Sequence, residues 1–332
     1  MGLLIDGVWH TEEPKADAPA DGSFARKEAA FRNWVTLDGR PGPSGHDGFA
    51  ASAGRYHLYV SLACPWAHRV LIMRALKGLE QIIHVSMTHW LMGEQGWSFA
   101  KGEGEIPDSL FNSRYLHEIY TRADASYTGR VTVPVLWDQH TQTIVNNESS
   151  EIIRMLNSAF DSVGARRGDY YPQDKRAEID ALNARIYDTV NNGVYRAGFA
   201  TTQTAYEQAI GPLFETLDRL ESHLAQSRFL CGDGLTEADI RLFTTLVRFD
   251  SVYHGHFKCN LRRITDYPNL WAYTRDIYQV PGIAQTVSMT HIKRHYYMSQ
   301  RRINPTGIVP VGPLLDFDAP SERGGVDRLI VF

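Results

Sequence analysis

The sequence predicts an α/β domain followed by an all-α domain. Three observations carry that prediction. A strand–helix–strand pattern starts at Arg55, and a strand hairpin with a further helix begins near residue 131. From about Lys175 the apolar spacing is helical throughout. The length agrees, since 332 residues correspond to two domains at about 100–200 residues each.

Residues 1–53 read as an irregular extension, rich in Ala, Asp, Gly and Pro. Trp9 and Trp34 give it something to pack with, and no catalytic role is expected of it. Tyr56-His57-Leu58-Tyr59-Val60 reads as a strand from its aromatic and β-branched content. Pro65 suits the first position of a helix. Apolar positions 66, 67, 70, 71, 75 and 79 then return at helical spacing, and Gly78 marks the end. Ile82-Ile83-His84-Val85 is the next strand, which completes a βαβ unit. Residues 88–128 form a long polar-aromatic insertion with no clear pattern, and insertions of that length are often functional.

Val131–Trp137 and Thr143–Val145 flank the turn Asp138-Gln139-His140-Thr141 as a hairpin. Asn147-Glu148-Ser149-Ser150 opens a helix through Ile152, Ile153 and Leu156. The first domain is therefore βαβ followed by ββα. In the second, Ile179, Leu182, Ile186 and Val190 mark one helical face, and Leu213, Leu217, Leu220 and Leu224 another. Thr236-Glu237-Ala238-Asp239 reads as a capping box before the apolar run Ile240, Leu242, Phe243, Leu246 and Val247, so a buried central helix is expected there. Beyond Arg302 the chain is rich in Pro and Gly and expected to be irregular, ending in Leu329-Ile330-Val331-Phe332.

Composition narrows the function. Hydrophobic residues make up 43% and charged residues 22%, as in an ordinary globular protein. The net charge of −4 argues against broad nucleic-acid binding, which needs a positive footprint. Three cysteines, Cys64, Cys231 and Cys259, are too few and too odd for a disulfide framework, so any thiol that matters acts singly in a reducing compartment. The first ten residues lack a basic segment and a long apolar one, so no secretory signal is expected. Gly2 is placed for myristoylation, but Asp6 stands where Ser or Thr is wanted. No apolar stretch approaches the ~20 residues of a membrane span. The expectation is a soluble, cytoplasmic protein that binds neither nucleic acid nor membrane.

Cys64 is the most informative residue. It ends a strand and precedes a helix, where backbone N–H groups and the helix dipole favour thiolate over thiol. In Cys64-Pro65-Trp66-Ala67, Ala67 takes the place where a dithiol motif has its second Cys. A covalent intermediate on Cys64 must then be resolved by another thiol, most simply a small external one. The alternative is a buried Cys capping a helix by accident; the neighbours His68 and Arg69 weigh against it. Val133-Pro134 is a second signal. A cis turn there leaves the Val133 backbone able to pair with an extended ligand, while the plainer reading is an edge-strand proline. Glu148-Ser149 is the third: helix N–H groups and a hydroxyl for a carboxylate, an acid for an ammonium, or simply a helix start.

These three signals occur in the order and spacing of the glutathione transferases, which the chain resembles over nearly its whole length. The capped central helix is similar to the Thr-x-x-Asp box of that family. Cys64-Pro65-Trp66-Ala67-His68-Arg69 more specifically resembles the Xi class, the glutathionyl-hydroquinone reductases. The resemblance implies a thioredoxin-like domain at 54–160 and an all-helical transferase domain at 172–302, with a tail at 303–332. It implies Cys64 as nucleophile and Trp97, Arg130, Val131, Val133, Glu148 and Ser149 as glutathione-holding residues. It also implies Tyr195, Tyr253 and Tyr296 around the aromatic substrate, with Tyr195 first choice as acid; core packing is the alternative for each tyrosine. Glutathione would be the co-substrate, with a glutathionyl-hydroquinone as substrate, no metal or nucleotide, and a homodimer as the assembly. An omega-like thiol transferase or dehydroascorbate reductase is the nearest rival, and a non-catalytic glutathione-binding protein the next.

Other signals are discounted. His254, His256 and Cys259 look metal-like, but no second cluster completes four ligands. Cys231 lies before a Gly-Asp-Gly turn and reads as a small packed thiol. The basic run His291–His295 with Arg301 and Arg302 could form a nucleic-acid patch, but a solvated helix face or attraction for glutathione carboxylates explains it as well. Glycines at 102 and 104, and at 232 and 234, do not continue to a dinucleotide fingerprint.

Overall fold

The computed structural model describes residues 2–11, 19–324 and 331–332. Leu329 and Ile330, expected in the tail, lie outside the described residues. The chain divides into two compact units. The first takes the described residues within Met1–Asp17, Lys27–Arg167 and Ser288–His295; the second takes those within Ala18–Arg26, Gly168–Val287 and Tyr296–Phe332.

The described residues of the N-terminal segment are mostly irregular, as expected, but not throughout. Among its described residues are four three-residue strands, β1 (Leu3–Ile5), β2 (Val8–His10), β3 (Trp34–Thr36) and β4 (Gly48–Ala50). β1 and β2 form a hairpin across Asp6-Gly7, both with positive φ, as a two-residue turn of matching twist requires. β3 and β4 pair in parallel, and residues 31–33 run beside the later strand edge: Asn33 N–H donates to Val145 C=O, and Asn147 N–H to Phe31 C=O.

The core of the first unit is the expected strand–helix–strand. β5 (Tyr56–Val60) is buried at every position because it is central in its sheet. α1 (Pro65–Leu76) carries Pro65 at its start and Cys64 as its N-cap. β6 (His84–Met87) starts two residues later than predicted, since the Ile82 and Ile83 N–H groups close the preceding turn onto Leu79 C=O. The insertion contains a helix the sequence reading missed, α2 (Leu116–Ala123). Glu118 accepts from the Tyr115 N–H, and Leu116, Ile119 and Tyr120 form its buried face. β7 (Gly129–Arg130) pairs with β1, Leu3 opposite Arg130.

β8 (Val135–Asp138) begins only after Pro134, because proline has no N–H to give to a ladder. β9 (Thr143–Asn146) returns beside it. The sheet order is β6-β5-β8-β9, with β5 and β6 parallel and the other pairs antiparallel. α3 (Ser149–Ser158) follows at once and packs on α1.

The second unit is helical, as expected. α4 (Arg176–Ile186) runs into a π-helical turn, Tyr187–Asn191, and then α5 (Gly193–Phe199). α6 (Gln203–Leu224) is the longest helix, and α7 (Glu237–Arg248) is buried along its whole length. The capping box is present: Asp239 accepts from Thr236 N–H and Thr236 Oγ1, both at 2.8 Å, and its other oxygen accepts from Leu230 N–H and Tyr273 Oη. A second π-helical turn, Phe249–Tyr253, ends this run. α8 (Pro268–Tyr278) and α9 (Met289–Ser299) follow. Described tail residues beyond 302 form neither helix nor strand and are held through backbone carbonyls, as where Gln279 Nε2 donates to Phe317 and Ala319. No helix among the described residues is long and apolar enough to cross a membrane.

Candidate active site

The first unit gathers four of the predicted residues. Cys64 is partly exposed at the N-terminus of α1, and its Sγ lies 3.7 Å from the Val133 carbonyl oxygen. The Val133–Pro134 bond is cis. The Val133 N–H makes no hydrogen bond to another described residue, although Val133 is buried. A backbone donor in that state is set to meet an extended ligand, as an added strand would. The helix-start thiol and the Val133 backbone therefore share one small region.

Tyr120, which the sequence reading overlooked, braces that region. Its hydroxyl donates to Thr132 C=O at 2.8 Å and accepts from Thr132 N–H at 3.2 Å and from Asn147 Nδ2 at 3.0 Å. One buried phenol thus fixes the Val131–Val133 stretch against the residue before Glu148. The apolar spacing of 116, 119 and 120 could have exposed it, had the short helix been recognised.

Glu148 and Ser149 sit at the start of α3. Glu148 is the N-cap, its Oε1 accepting from Ser150 N–H at 2.9 Å and Ser150 Oγ at 2.8 Å. Its carboxylate therefore has a structural task beside any ligand. The buried Arg69 guanidinium lies over the Trp66 ring, 4.5 Å from its centroid, and donates to Ser149 Oγ at 3.4 Å. α1 thus reaches both the thiol and the α3 terminus.

Trp97 makes its contacts with other residues. It is buried in the insertion, where its carbonyl caps α2 through Leu116 N–H. Its ring stacks on His295, centroids 4.8 Å apart and planes 17° from parallel. His295 Nδ1 in turn donates to Trp90 C=O at 2.8 Å. No hydrogen bond or ring contact joins Trp97 to Cys64, Val133, Glu148 or Ser149. Arg130 and Val131 are half-buried at the β7 edge, and Tyr127 Oη donates to Arg130 C=O at 3.1 Å.

The three tyrosines come together in the second unit. Tyr296 Oη lies 2.5 Å from Tyr195 Oη and 3.0 Å from Tyr253 Oη, so Tyr296 is the middle of a hydroxyl chain. Tyr253 and Tyr296 are fully buried, while Tyr195 is half-buried and forms the open end. Burial pushes the Tyr253 and Tyr296 phenols well above their ordinary range; the Arg248 charge acts the other way. Phe24, Phe199 and Phe257 wall the Tyr195 ring.

The remaining thiols are of a different kind. Cys231 and Cys259 are buried, and burial pushes the first to about 12 and the second higher still. His256 Nε2 pairs with Gln300 Oε1 at 2.8 Å, and Cys259 Sγ leans on Phe257 C=O at 3.8 Å, so both serve packing.

Comparison with known proteins agrees with this geometry. Residues 63–159 match the family description of the glutathione S-transferase N-terminal domain, and residues 203–276 that of the C-terminal domain. The glutathionyl-hydroquinone reductase YqjG of Escherichia coli is 58% identical, over 97% of this chain and 98% of its own. The glutathione-bound structure of YqjG superposes with a TM-score of 0.90 at 57% identity, covering 97% of this chain and 99% of that one. The glutathionyl-hydroquinone reductase PcpF of Sphingobium chlorophenolicum is 59% identical over 94% of this chain and 96% of its own. A Xi-class glutathione transferase from Natrialba magadii has a TM-score of 0.89 at 48% identity, over 99% and 97% of the two chains. The thiol on a helix N-terminus beside an open backbone edge, followed by an all-helical unit, places this chain in the glutathione transferase family, in its Xi class.

Proposed function

We propose that the protein reduces glutathionyl-hydroquinones to hydroquinones with glutathione as co-substrate, through a mixed disulfide on Cys64. The observation that carries this reading is the partly exposed Cys64 at a helix start, 3.7 Å from Val133 C=O, with Ala67 where a resolving thiol would stand. The γ-glutamyl end is assigned to Glu148 and Ser149, the cysteinyl backbone to Val133, and the glycyl end to Trp97 and Arg130, with Val131 beside them. YqjG, the relative solved with glutathione bound, supports glutathione as the ligand.

Cys64 thiolate attacks the sulfur that joins glutathione to the ring. The sulfur–sulfur bond forms as the carbon–sulfur bond breaks, and the electron pair stays on the ring carbon. That carbon takes a proton, for which the open Tyr195 is the acid. A second glutathione thiolate attacks the mixed disulfide, frees Cys64 and leaves as oxidised glutathione. One thioether and one thiol become one C–H bond and one disulfide, so electrons balance. A thiol transferase acting on disulfides needs no ring acid, and the tyrosine chain therefore favours an aromatic substrate. A homodimer in the cytoplasm remains part of the proposal.

The test supplies glutathionyl-hydroquinone and glutathione and follows free hydroquinone, with Cys64→Ala and Cys64→Ser beside the parent. Release by the parent with a glutathione adduct on Cys64 is expected. An inactive parent overturns the substrate, and active variants overturn the nucleophile.

A further inference from the structure

The N-terminal extension was expected to take no part in catalysis, yet residues 19–26 lie with the tyrosine unit. Thr201 N–H donates to Gly22 C=O at 3.0 Å, and Thr202 Oγ1 to Asp21 C=O at 2.9 Å, which straps this stretch onto the α5–α6 junction. Phe24 then packs on Phe199, centroids 5.3 Å apart, and on Tyr195 at 6.3 Å. The strap ends at Arg26. Its guanidinium carbon stands over the Tyr195 ring, 4.9 Å from the centroid. Its Nε donates to Asn192 Oδ1 at 2.8 Å, and Asn192 is buried beside the π-helical turn that precedes Tyr195. Strap and turn thus fix a cation on the face of the most open phenol of the hydroxyl chain.

A cation over a ring face is attracted to its π density, and more strongly once the ring carries negative charge. Tyr195 acquires that charge as its proton passes to the ring carbon. An interaction that strengthens along the reaction lowers the barrier rather than merely binding substrate. We infer that Arg26 is a positioning residue for catalysis, stabilising the Tyr195 phenolate that forms when the hydroquinone ring is protonated. This inference rests on the reading of Tyr195 as the acid.

The test separates the two half-reactions in single turnover, with Arg26→Gln, Arg26→Lys and Tyr195→Phe compared. Ring release is followed on mixing glutathionyl-hydroquinone with enzyme free of glutathione. Disulfide exchange is followed on adding glutathione to the preformed Cys64 adduct. Arg26→Gln is expected to slow ring release about tenfold and to leave exchange within about twofold, with Arg26→Lys recovering most of the loss. Equal slowing of both steps, or no rescue by Lys, overturns the inference as a matter of folding or packing. Slow release in Tyr195→Phe with normal release in Arg26→Gln overturns the inference and keeps the acid. Normal release in Tyr195→Phe removes the acid reading itself. In the Tyr195→Phe background, the Arg26→Gln loss should vanish, since coupled residues do not add.

Discussion

Cys64 and Tyr195 are held in place by different kinds of partner. Beside Cys64 the backbone supplies the groups: the start of α1 and the Val133 carbonyl 3.7 Å away. Around Tyr195 they are side chains from distant parts of the chain: the Tyr296 hydroxyl, the Phe24 and Phe257 rings and the Arg26 cation. The first arrangement survives most substitutions because the fold itself supplies the groups. The second depends on each contributor.

The largest expected effect tests the first region. If Cys64 is the nucleophile, replacing it by Ala removes the attacking sulfur, and hydroquinone release should fall to background while glutathione binding, measured by calorimetry, persists within a few-fold. Lost binding as well would show that the thiol, not the backbone, organises that pocket. Tyr195→Phe comes next. A positioned acid contributes on the order of 10²-fold or more, so ring release should slow by about that factor with disulfide exchange unchanged. A normal rate would shift the acid to another group and leave the hydroxyl chain a packing feature.

The cysteines allow the comparison to be narrowed to one residue type. Cys231 and Cys259 are buried, and burial raises both thiols, the first to about 12. Brief treatment with an alkylating agent near neutral pH should therefore label Cys64 at least about tenfold faster than either, because the thiolate is the reacting form. Mass spectrometry of the peptides reads this directly, and comparable labelling of Cys259 would deny Cys64 its special setting.

How legible each region was follows from the same difference. Cys64-Pro65, Val133-Pro134, Glu148-Ser149 and the Thr236–Asp239 box are contiguous, so the local physics of caps and prolines announces them. The strands β1 to β4 are three residues each, too short to show a period, although Asp6-Gly7 carried a hairpin signal. α2 has eight residues inside a polar-aromatic insertion that masks its apolar face. Arg26 over Tyr195 and Trp97 on His295 join positions 169 and 198 residues apart, and no local pattern announces such pairs. Tyr195, Tyr253 and Tyr296 were picked out by family resemblance alone; their hydroxyl chain became visible only once the helices packed.

Tyr120 gives the smallest and most discriminating test, because it is a side chain serving the backbone-built region. Tyr120→Phe keeps the ring and its packing but strips the hydroxyl that joins Thr132 to Asn147. The buried Asn147 amide and the part-buried Thr132 N–H lose their acceptor, at a cost of about 1–3 kcal/mol for the buried one, so the melting temperature should drop by several degrees. If the stretch through Val133 pairs with glutathione, its loosened backbone should raise KM for glutathione a few-fold while ring release from a bound adduct keeps its rate. A lowered melting temperature with unchanged KM would mean that Tyr120 only supports the core. Slowing of ring release instead would mean that the two regions are coupled through this helix, and that the division between a backbone-built thiol site and a side-chain-built acid is too sharp.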